Sequence, residues 1–203
     1  MDCESFFELL KSRRSIRQFT ERKPSRTQIE CLIKAASWAP SNHNRQGWKF
    51  IVFEDRQQIR ILTEQTRKSL RKTVKEACRL TADQADELVH LAGAFDQSPI
   101  VILAMHKKSP AAGRSLLACA TSELASGEAL STAMAVQNLL LAAHAIGLGT
   151  CVMTAPLLAG QVWKSLQDLP AGFEPTCLIT VGYPASVPEA PRRKKLEHIL
   201  EYR

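Results

Sequence analysis

Residues 39–53 read APSNHNRQGWKFIVF, a polar loop that runs directly into an apolar segment. Pro40 ends the preceding helical pattern, and the loop up to Gly47 concentrates Ser, Asn and Gln side chains. Trp48 to Phe53 is predicted to be a β-strand because aromatic and β-branched residues dominate it. Amide side chains both donate and accept hydrogen bonds, so the loop suits the mixed edge of a heteroaromatic ring, although an ordinary polar loop has the same composition.

The segment before this loop is predicted to be a capped helix. Ser25 followed by Gln28 forms a capping-box pattern, and the apolar residues from Ile29 to Ala36 recur on one helical face. Residues 4–12 predict a shorter amphipathic helix, which leads into Arg13-Arg14-Ser15-Ile16-Arg17. Guanidinium groups match phosphate oxygens well, but a solvated basic turn has the same pattern.

The rest of the chain alternates predicted helices with two apolar strands, and its composition suits one mixed α+β domain covering residues 1–203. Gly147 is a plausible helix stop. Residues 147–156 are interpreted as a glycine-rich apolar turn, with a helix terminus and buried strand as the alternative. Residues 107–122 give no clear pattern. The predicted helices are 56–79, 83–95, Glu128 to Ile146 and Leu157–Leu166, and the predicted strands are Pro99 to Met105 and Thr176–Val181.

The charge distribution points to an anionic partner. The 203-residue chain has a net charge of +7, and its first 80 residues hold 18 of the 27 Lys and Arg but only 9 of the 20 Asp and Glu. Phosphate, nucleic acid and acidic lipid are the candidates. A basic nucleic-acid-binding protein is the alternative from another class, but only the charge of helix 56–79 favours it and no known recognition motif is present.

Several functional classes lack support in the sequence. The six cysteines and five histidines are scattered without metal-ligand spacing, so no metal site is predicted. Reduced cysteines and no visible secretion signal predict a cytoplasmic protein. Residues 129–163 contain no charged side chain, but polar residues, glycines and a proline favour a buried core helix over a membrane span. No hydrolase triad, P-loop or dinucleotide fingerprint is found.

Four blocks, in order and with matching spacing, make nearly the whole chain similar to the nitroreductase family of flavin enzymes. Residues 56–125 match little. The blocks are Arg13-Arg14-Ser15-Ile16-Arg17 with Phe19 and Pro24; Ala39-Pro40-Ser41-x-x-Asn44-x-Gln46-x-Trp48-x-Phe50; Gln137 to Ala143 leading to Gly147-Leu148-Gly149; and Val181-Gly182-Tyr183-Pro184 with the basic tail.

The resemblance implies an α+β fold, with a mixed, mainly antiparallel sheet flanked by helices, and an intertwined homodimer that binds FMN at its interface. A C-terminal arm, about 184–203, would reach toward the partner subunit. Arg17 would lie near the pyrimidine edge of the flavin, where a cation tunes its potential. The other implied FMN contacts are Arg13, Arg14, Ser15 and Arg193 (with Arg192 left open) at the phosphate and ribityl chain, Pro40, Ser41, Asn42 and Asn44 from the partner subunit, Gln46 beside them, and Thr154 and Ala155 at the reactive nitrogen.

The implied activity is ping-pong reduction of electron-poor acceptors, such as nitroaromatics or quinones, with NADH or NADPH as the donor. No acid–base side chain is required, because the flavin carries the chemistry. A specialised member of dehalogenase, azoline oxidase or flavin reductase type is the alternative within the family. Two departures stand out: Gly47 replaces a proline that the family often has, which predicts a looser loop, and Thr154-Ala155 replaces the Glu-Gly of one major subgroup.

Overall fold

A four-stranded antiparallel sheet lies at the centre of the fold. The computed structural model describes residues 2–77, 80–108, 127–166 and 169–203. The strands are β1 (Trp48–Phe53), β2 (Ile100–Lys107), β3 (Gly149–Met153) and β4 (Phe173–Gly182). The α-helices are α1 (Cys3–Ser12), α2 (Arg26–Ala36), α3 (Arg56–Ala77), α4 (Ala82–Ala92), α5 (Gly127–Ala145) and α6 (Gly160–Lys164).

The strand order is β1-β2-β4-β3, which puts β1 and β3 at opposite edges. All three strand pairs are antiparallel, with Trp48 opposite His106 in one pair and Cys151 opposite Thr180 in another. The β2–β4 register shifts between Ala104 and Met105. The predicted α+β class with a mainly antiparallel sheet is therefore confirmed.

Both faces of the central strands are covered, so the described part of the fold has three layers. Because successive strand residues point to opposite faces, Ile102 and Ile179 pack with α2 and α5 on one side. Leu103 and Leu178 pack with α3, α4 and α6 on the other. Every residue from Ile100 to Met105 is at most 1% exposed, which explains the continuous apolar run in that strand.

Local signals in the sequence positioned α2 correctly. The Ser25 hydroxyl accepts a hydrogen bond from Gln28 N at 3.2 Å, and the Gln28 side chain accepts one from Ser25 N at 3.0 Å. These two bonds complete the predicted capping box. Ile29, Leu32 and Ala36 are buried, as their helical spacing predicts.

Two predicted elements differ from the structure. Residues 149–153, interpreted as part of a turn with a buried strand as the alternative, form the edge strand β3. The predicted helix Leu157–Leu166 is divided into a 3-10 turn (Ala155–Leu158) and the short helix α6. The prediction of helix through residues 78–79, and the stretch 109–122 without a clear pattern, fall outside the described residues.

Candidate functional site

The basic N-terminal segment is attached to the edge strand β3. Ser15 forms an isolated parallel bridge with Thr150, and Ile16 N donates to Thr150 O at 2.9 Å. Ile16 is 4% exposed, and a Cβ added at Gly149 would lie 2.7 Å from its Cβ. The glycine therefore lets the segment approach β3 closely. Consequently Arg13 and Arg17 flank the same short stretch of β3.

A cavity of about 200 Å³ lies at the end of β3; we call it the Arg17 cavity. Thr154 and Ala155 form its lining together with Arg17 and Cys151. Phe19, Leu91 and Ala94 contribute apolar surface. The cavity thus combines a cation, apolar walls and the backbone of the turn that follows β3.

A second cavity of about 180 Å³, the Arg13 cavity, lies beside the start of β3 and includes Arg13, Arg14 and Thr150 in its lining. Arg14 donates to Lys11 O at 2.5 Å and to Arg13 O at 2.8 Å, so its guanidinium closes the end of α1. Among the described residues, none accepts a hydrogen bond from the Arg13 guanidinium. Arg13 is therefore the better placed of the two arginines to bind an added anion.

His144 also lines the Arg13 cavity, which the sequence analysis did not foresee. Its Nε2 lies 2.7 Å from the Ser12 hydroxyl, a residue 132 positions away in sequence. Burial and the charges of Arg13 and Arg14 lower the pKa of His144 below its ordinary value. An anion that neutralises these arginines would therefore raise the pKa of His144 toward its ordinary value.

The cysteines near the sheet are not activated thiols. Burial raises the pKa of Cys151, although Arg17 and Arg13 oppose this effect. Burial raises the pKa of Cys177 to about 12. Both remain protonated at neutral pH, so nothing gives them a nucleophilic role.

The polar loop between α2 and β1 has an unusual backbone. Its 3-10 turn spans Asn42–Asn44. His43, Asn44 and Gln46 have φ values of 50°, 52° and 49°, in the left-handed region that non-glycine residues rarely adopt. Inside the loop, Ser41 Oγ accepts from Gln46 N at 3.0 Å, and Gln46 Nε2 donates to Asn44 Oδ1 at 3.2 Å.

The N-terminal part of α5 anchors this loop through two side chains. Asn42 N donates to Ser131 Oγ at 3.1 Å, and Arg45 Nη1 lies 3.3 Å from Glu128 Oε1. Glu128 is 4% exposed, and nothing in the sequence pattern around it predicted a role for it. Gly47 predicts a loose loop, but these two contacts attach the loop to α5.

The structure brings together only part of the predicted site. Arg13, Arg14, Ser15 and Arg17 meet the Thr154-Ala155 turn at the β3 edge. The loop residues Pro40, Ser41, Asn42, Asn44 and Gln46 precede β1, at the opposite edge. Arg193 lies in the stretch 185–203, in which every residue is exposed.

Several large apolar side chains are exposed away from the core. Trp38 is 81% exposed, directly before the polar loop. Phe7 on α1 is 51% exposed, and Leu130 on α5 is 55% exposed. Met134, one turn after Leu130, is 41% exposed, so α5 carries apolar side chains on its outer face as well as on its buried face.

Two further findings concern the described residues. No helix among them is long and apolar enough to cross a membrane. Within the same residues, no cluster of three or more His, Cys, Asp or Glu side chains could hold a metal ion.

The sheet and its flanking helices define an α+β fold that has two cavities beside β3. The sequence pattern of the Nitroreductase family matches residues 10–183, and the chain belongs to that family. The predicted family is therefore confirmed.

Individual relatives refine this picture. The chain is 27% identical to an iodotyrosine deiodinase of Thermotoga neapolitana over 199 residues, covering 97% of this chain and 96% of the relative. It is 29% identical to mouse iodotyrosine deiodinase 1 over 212 residues, covering 98% of this chain and 70% of the relative.

Solved structures share the fold at low sequence identity. A BluB-like flavoprotein from Clostridium difficile superimposes with a TM-score of 0.82 at 21% identity, covering 100% of this chain and 99% of the other. A nitroreductase with bound FMN from Desulfitobacterium hafniense superimposes with a TM-score of 0.73 at 18% identity, covering all of both chains.

Proposed function

We propose that this protein is an FMN-dependent oxidoreductase that acts as a homodimer and reduces small electron-poor acceptors with NADH or NADPH. One observation carries the proposal: the bridge between Ser15 and Thr150 fixes a basic segment beside the β3 turn. The bridge puts cations next to two cavities on one strand. The composition and spacing of these residues do not by themselves show this proximity.

The chemistry of the two cavities fits FMN. A phosphate group needs charge-assisted donors, and the Arg13 cavity offers a guanidinium with no acceptor among the described residues. The flavin ring needs apolar surface with few polar contacts, which the Arg17 cavity supplies through Phe19 and the turn at Thr154 and Ala155. Ser15, between the two cavities, is suited to the linking chain.

FMN, when bound, would supply two-electron chemistry between a nicotinamide donor and the acceptor. The protein orients the cofactor and shapes its electrostatics. The cation of Arg17 favours negative charge in the Arg17 cavity. The apolar walls exclude water there, which strengthens that interaction.

A homodimer explains why the predicted contacts are divided between two sheet edges. Three inter-strand spacings, about 14 Å in total, separate β1 from β3. A second copy of the chain, in contrast, can present its Pro40–Gln46 loop to the first copy's β3 edge. The exposed apolar side chains of α1 and α5 supply the contact surface, and the C-terminal arm would extend across the partner.

The exposed arm favours this arrangement. It begins at Pro184, which bridges Phe19, and Ala185 N donates to Gln18 O at 3.0 Å. Beyond this point it carries Leu196 and Ile199, each 66% exposed, and Tyr202, which is 89% exposed. Such side chains favour burial against another surface. On a partner subunit, the arm would also bring Arg192 and Arg193 toward the phosphate region.

Two acceptor classes compete within this proposal. Nitroaromatics or quinones are the general acceptors that the family resemblance implies. A halogenated aromatic is the second candidate, because iodotyrosine deiodinases match 97–98% of this chain. In that case the products would be the dehalogenated ring and halide.

The first experiment is to purify the protein and record its visible spectrum, then titrate the apoprotein with FMN. We expect a yellow protein, or saturable quenching of flavin fluorescence with one FMN per chain. A colourless protein that takes up no FMN would contradict the proposal. Gel filtration with light scattering tests the dimer in the same preparation.

The second experiment separates the acceptors. Anaerobically reduced enzyme is mixed with a nitroaromatic, a quinone or 3-iodotyrosine, and reoxidation of the flavin is followed by absorbance. Rapid reoxidation by the first two, without halide release from the third, favours the general reductase. Halide release at a faster rate favours the dehalogenase. Steady-state assays with NADH and NADPH then identify the donor.

A further inference from the structure

A buried carboxylate lies beneath the polar loop. Glu128 Oε1 is 3.3 Å from Arg45 Nη1, whereas Oε2 has no hydrogen-bond partner among the described residues. The Glu128 side chain is 5% exposed and that of Arg45 is 49% exposed. Burying an unsatisfied carboxylate oxygen costs free energy of folding. A buried glutamate at this position therefore calls for a structural or functional explanation.

Gly47 lies directly against the same carboxylate. A Cβ added at Gly47 would be 2.6 Å from Glu128 Oε2, closer than real Cβ contacts allow. The backbone itself does not require glycine here, because Gly47 is not among the described glycines with positive φ. An added side chain would therefore have to displace the end of the buried Glu128 side chain.

The loop between these residues needs outside contacts to keep its shape. Arg45 lies between Asn44 and Gln46, and both of these neighbours have left-handed φ values. Strained backbone of this kind persists only where surrounding contacts determine it. Just after the strained turn, Lys107 N donates to Gly47 O at 2.7 Å and joins the loop to β2. The ion pair of Arg45 with Glu128 attaches the strained turn itself to α5.

We propose that Glu128 is a positioning residue, which holds the Ser41–Gln46 loop in its cofactor-binding conformation through Arg45. Gly47 leaves the space that the Glu128 carboxylate requires. The link to cofactor binding rests on the proposed function. The packing relationship between Gly47 and Glu128 stands without it, and the two experiments below address these parts separately.

The first experiment measures this packing in the apoprotein. Thermal unfolding is compared for Gly47→Ala, Glu128→Ala and the double variant, with Gly160→Ala as the matched control because a Cβ there meets nothing within 4 Å. We expect Gly47→Ala to lower the Tm in the native background but not in the Glu128→Ala background. Additive shifts in Tm would overturn the packing relationship.

The second experiment measures FMN affinity by fluorescence titration. We expect Arg45→Met and Glu128→Gln each to raise the Kd about tenfold, equivalent to about 1.4 kcal/mol, and the double variant to raise it no further. Arg45→Lys, which keeps the charge, should retain most of the affinity. Glu64→Gln is the control, because Glu64 forms an exposed ion pair with Arg67 on α3.

The outcomes separate the two proposals. Wild-type protein without FMN uptake would refute the FMN-dependent function and the positioning role, while the Tm comparison still decides the packing. If the wild type binds FMN and Glu128→Gln lowers the Tm without changing the Kd, Glu128 is only structural. Multiplicative effects of Arg45→Met and Glu128→Gln on the Kd would show that the two residues act independently, which also contradicts the positioning role.

Discussion

The backbone N–H of Ile16 donates a 2.9 Å hydrogen bond to the carbonyl oxygen of Thr150. This bond joins the basic N-terminal segment to an edge strand that starts more than 130 residues later in the chain. Ile16 then fills the space above Gly149, whose missing side chain permits the contact. The geometry of Arg13 and Arg17 therefore depends on a glycine in β3.

Gly149→Ala tests this dependence. The new Cβ would lie 2.7 Å from Ile16 Cβ, so we expect the apoprotein to lose about 1–3 kcal/mol of unfolding free energy through overpacking. FMN affinity should fall as well, because the segment carrying Arg13 must move. Chemical denaturation and FMN titration measure both effects. Gly160→Ala serves as the control, and an unchanged unfolding free energy in Gly149→Ala would contradict the prediction.

Arg13→Met removes the proposed phosphate donor while keeping an unbranched chain. A charge-assisted hydrogen bond contributes about 1.5–3 kcal/mol, so we expect the FMN Kd to rise about 10- to 100-fold. Isothermal titration calorimetry gives the value. The control is Arg60→Met, which removes an exposed charge from α3. Equal affinity in Arg13→Met and wild type would place the phosphate elsewhere.

Arg17 should affect the flavin potential more than its binding. If its cation stabilises negative charge on the reduced flavin, Arg17→Gln makes the two-electron potential more negative, by about 30 mV for each 1.4 kcal/mol of lost stabilisation. Arg17→Lys keeps the charge and should fall near wild type. Equilibration with reference dyes measures the potential. A potential that does not respond to the charge would place Arg17 away from the ring.

The depressed pKa of His144 predicts a pH dependence of stability. Its folded-state pKa lies below the unfolded value of about 6.5, because of burial and the charges of Arg13 and Arg14. The unfolded chain therefore binds more protons below about pH 6.5, so this contribution to stability is full above that pH and is lost as pH falls.

His144→Gln removes the titrating group and keeps a polar partner for Ser12. We expect its unfolding free energy to fall less between pH 7 and 5.5 than that of wild type, in parallel urea titrations. A residual slope is expected from His106, whose pKa burial also lowers. Identical slopes for the two proteins would assign the pH dependence to other groups.

Removing residues 185–203 tests the arm. These residues are exposed in the single chain, so the deletion should leave the folded core intact while weakening the dimer. Light scattering and FMN titration measure the two consequences. Leu196→Ser combined with Ile199→Ser should weaken the dimer in the full-length chain, whereas Glu189→Ser should not. A truncated protein with native mass and FMN affinity would contradict the arm's proposed role.

Local interactions made part of this architecture predictable. The Ser25–Gln28 capping box and the apolar face of α2 depend on residues within a few positions of one another. The sequence predicted β3 only as the alternative to a turn, because five residues after a glycine stop show no informative periodicity. Its strand conformation comes from pairing with β4, which lies more than 20 residues further along the chain.

The sequence predicted which residues belong to the site, but it did not predict how they are arranged in space. The Arg13–Arg17 segment and the Asn42–Gln46 loop were recognisable from their composition and from the family resemblance. The positive φ values of the loop, the contact between Ser12 and His144, and the anchoring by Glu128 all depend on tertiary packing. Sequence spacing carries no information about such distant contacts.

The close approach of Gly47 to Glu128 also restricts how this chain can evolve. A side chain added at position 47 overlaps the Glu128 carboxylate while the glutamate remains, and we expect it to be better tolerated once position 128 has changed. The order of mutations therefore matters, and drift at one position depends on the state of the other. Among homologues, we expect glycine at the first position to accompany glutamate at the second, and bulkier residues to appear only where the glutamate is absent.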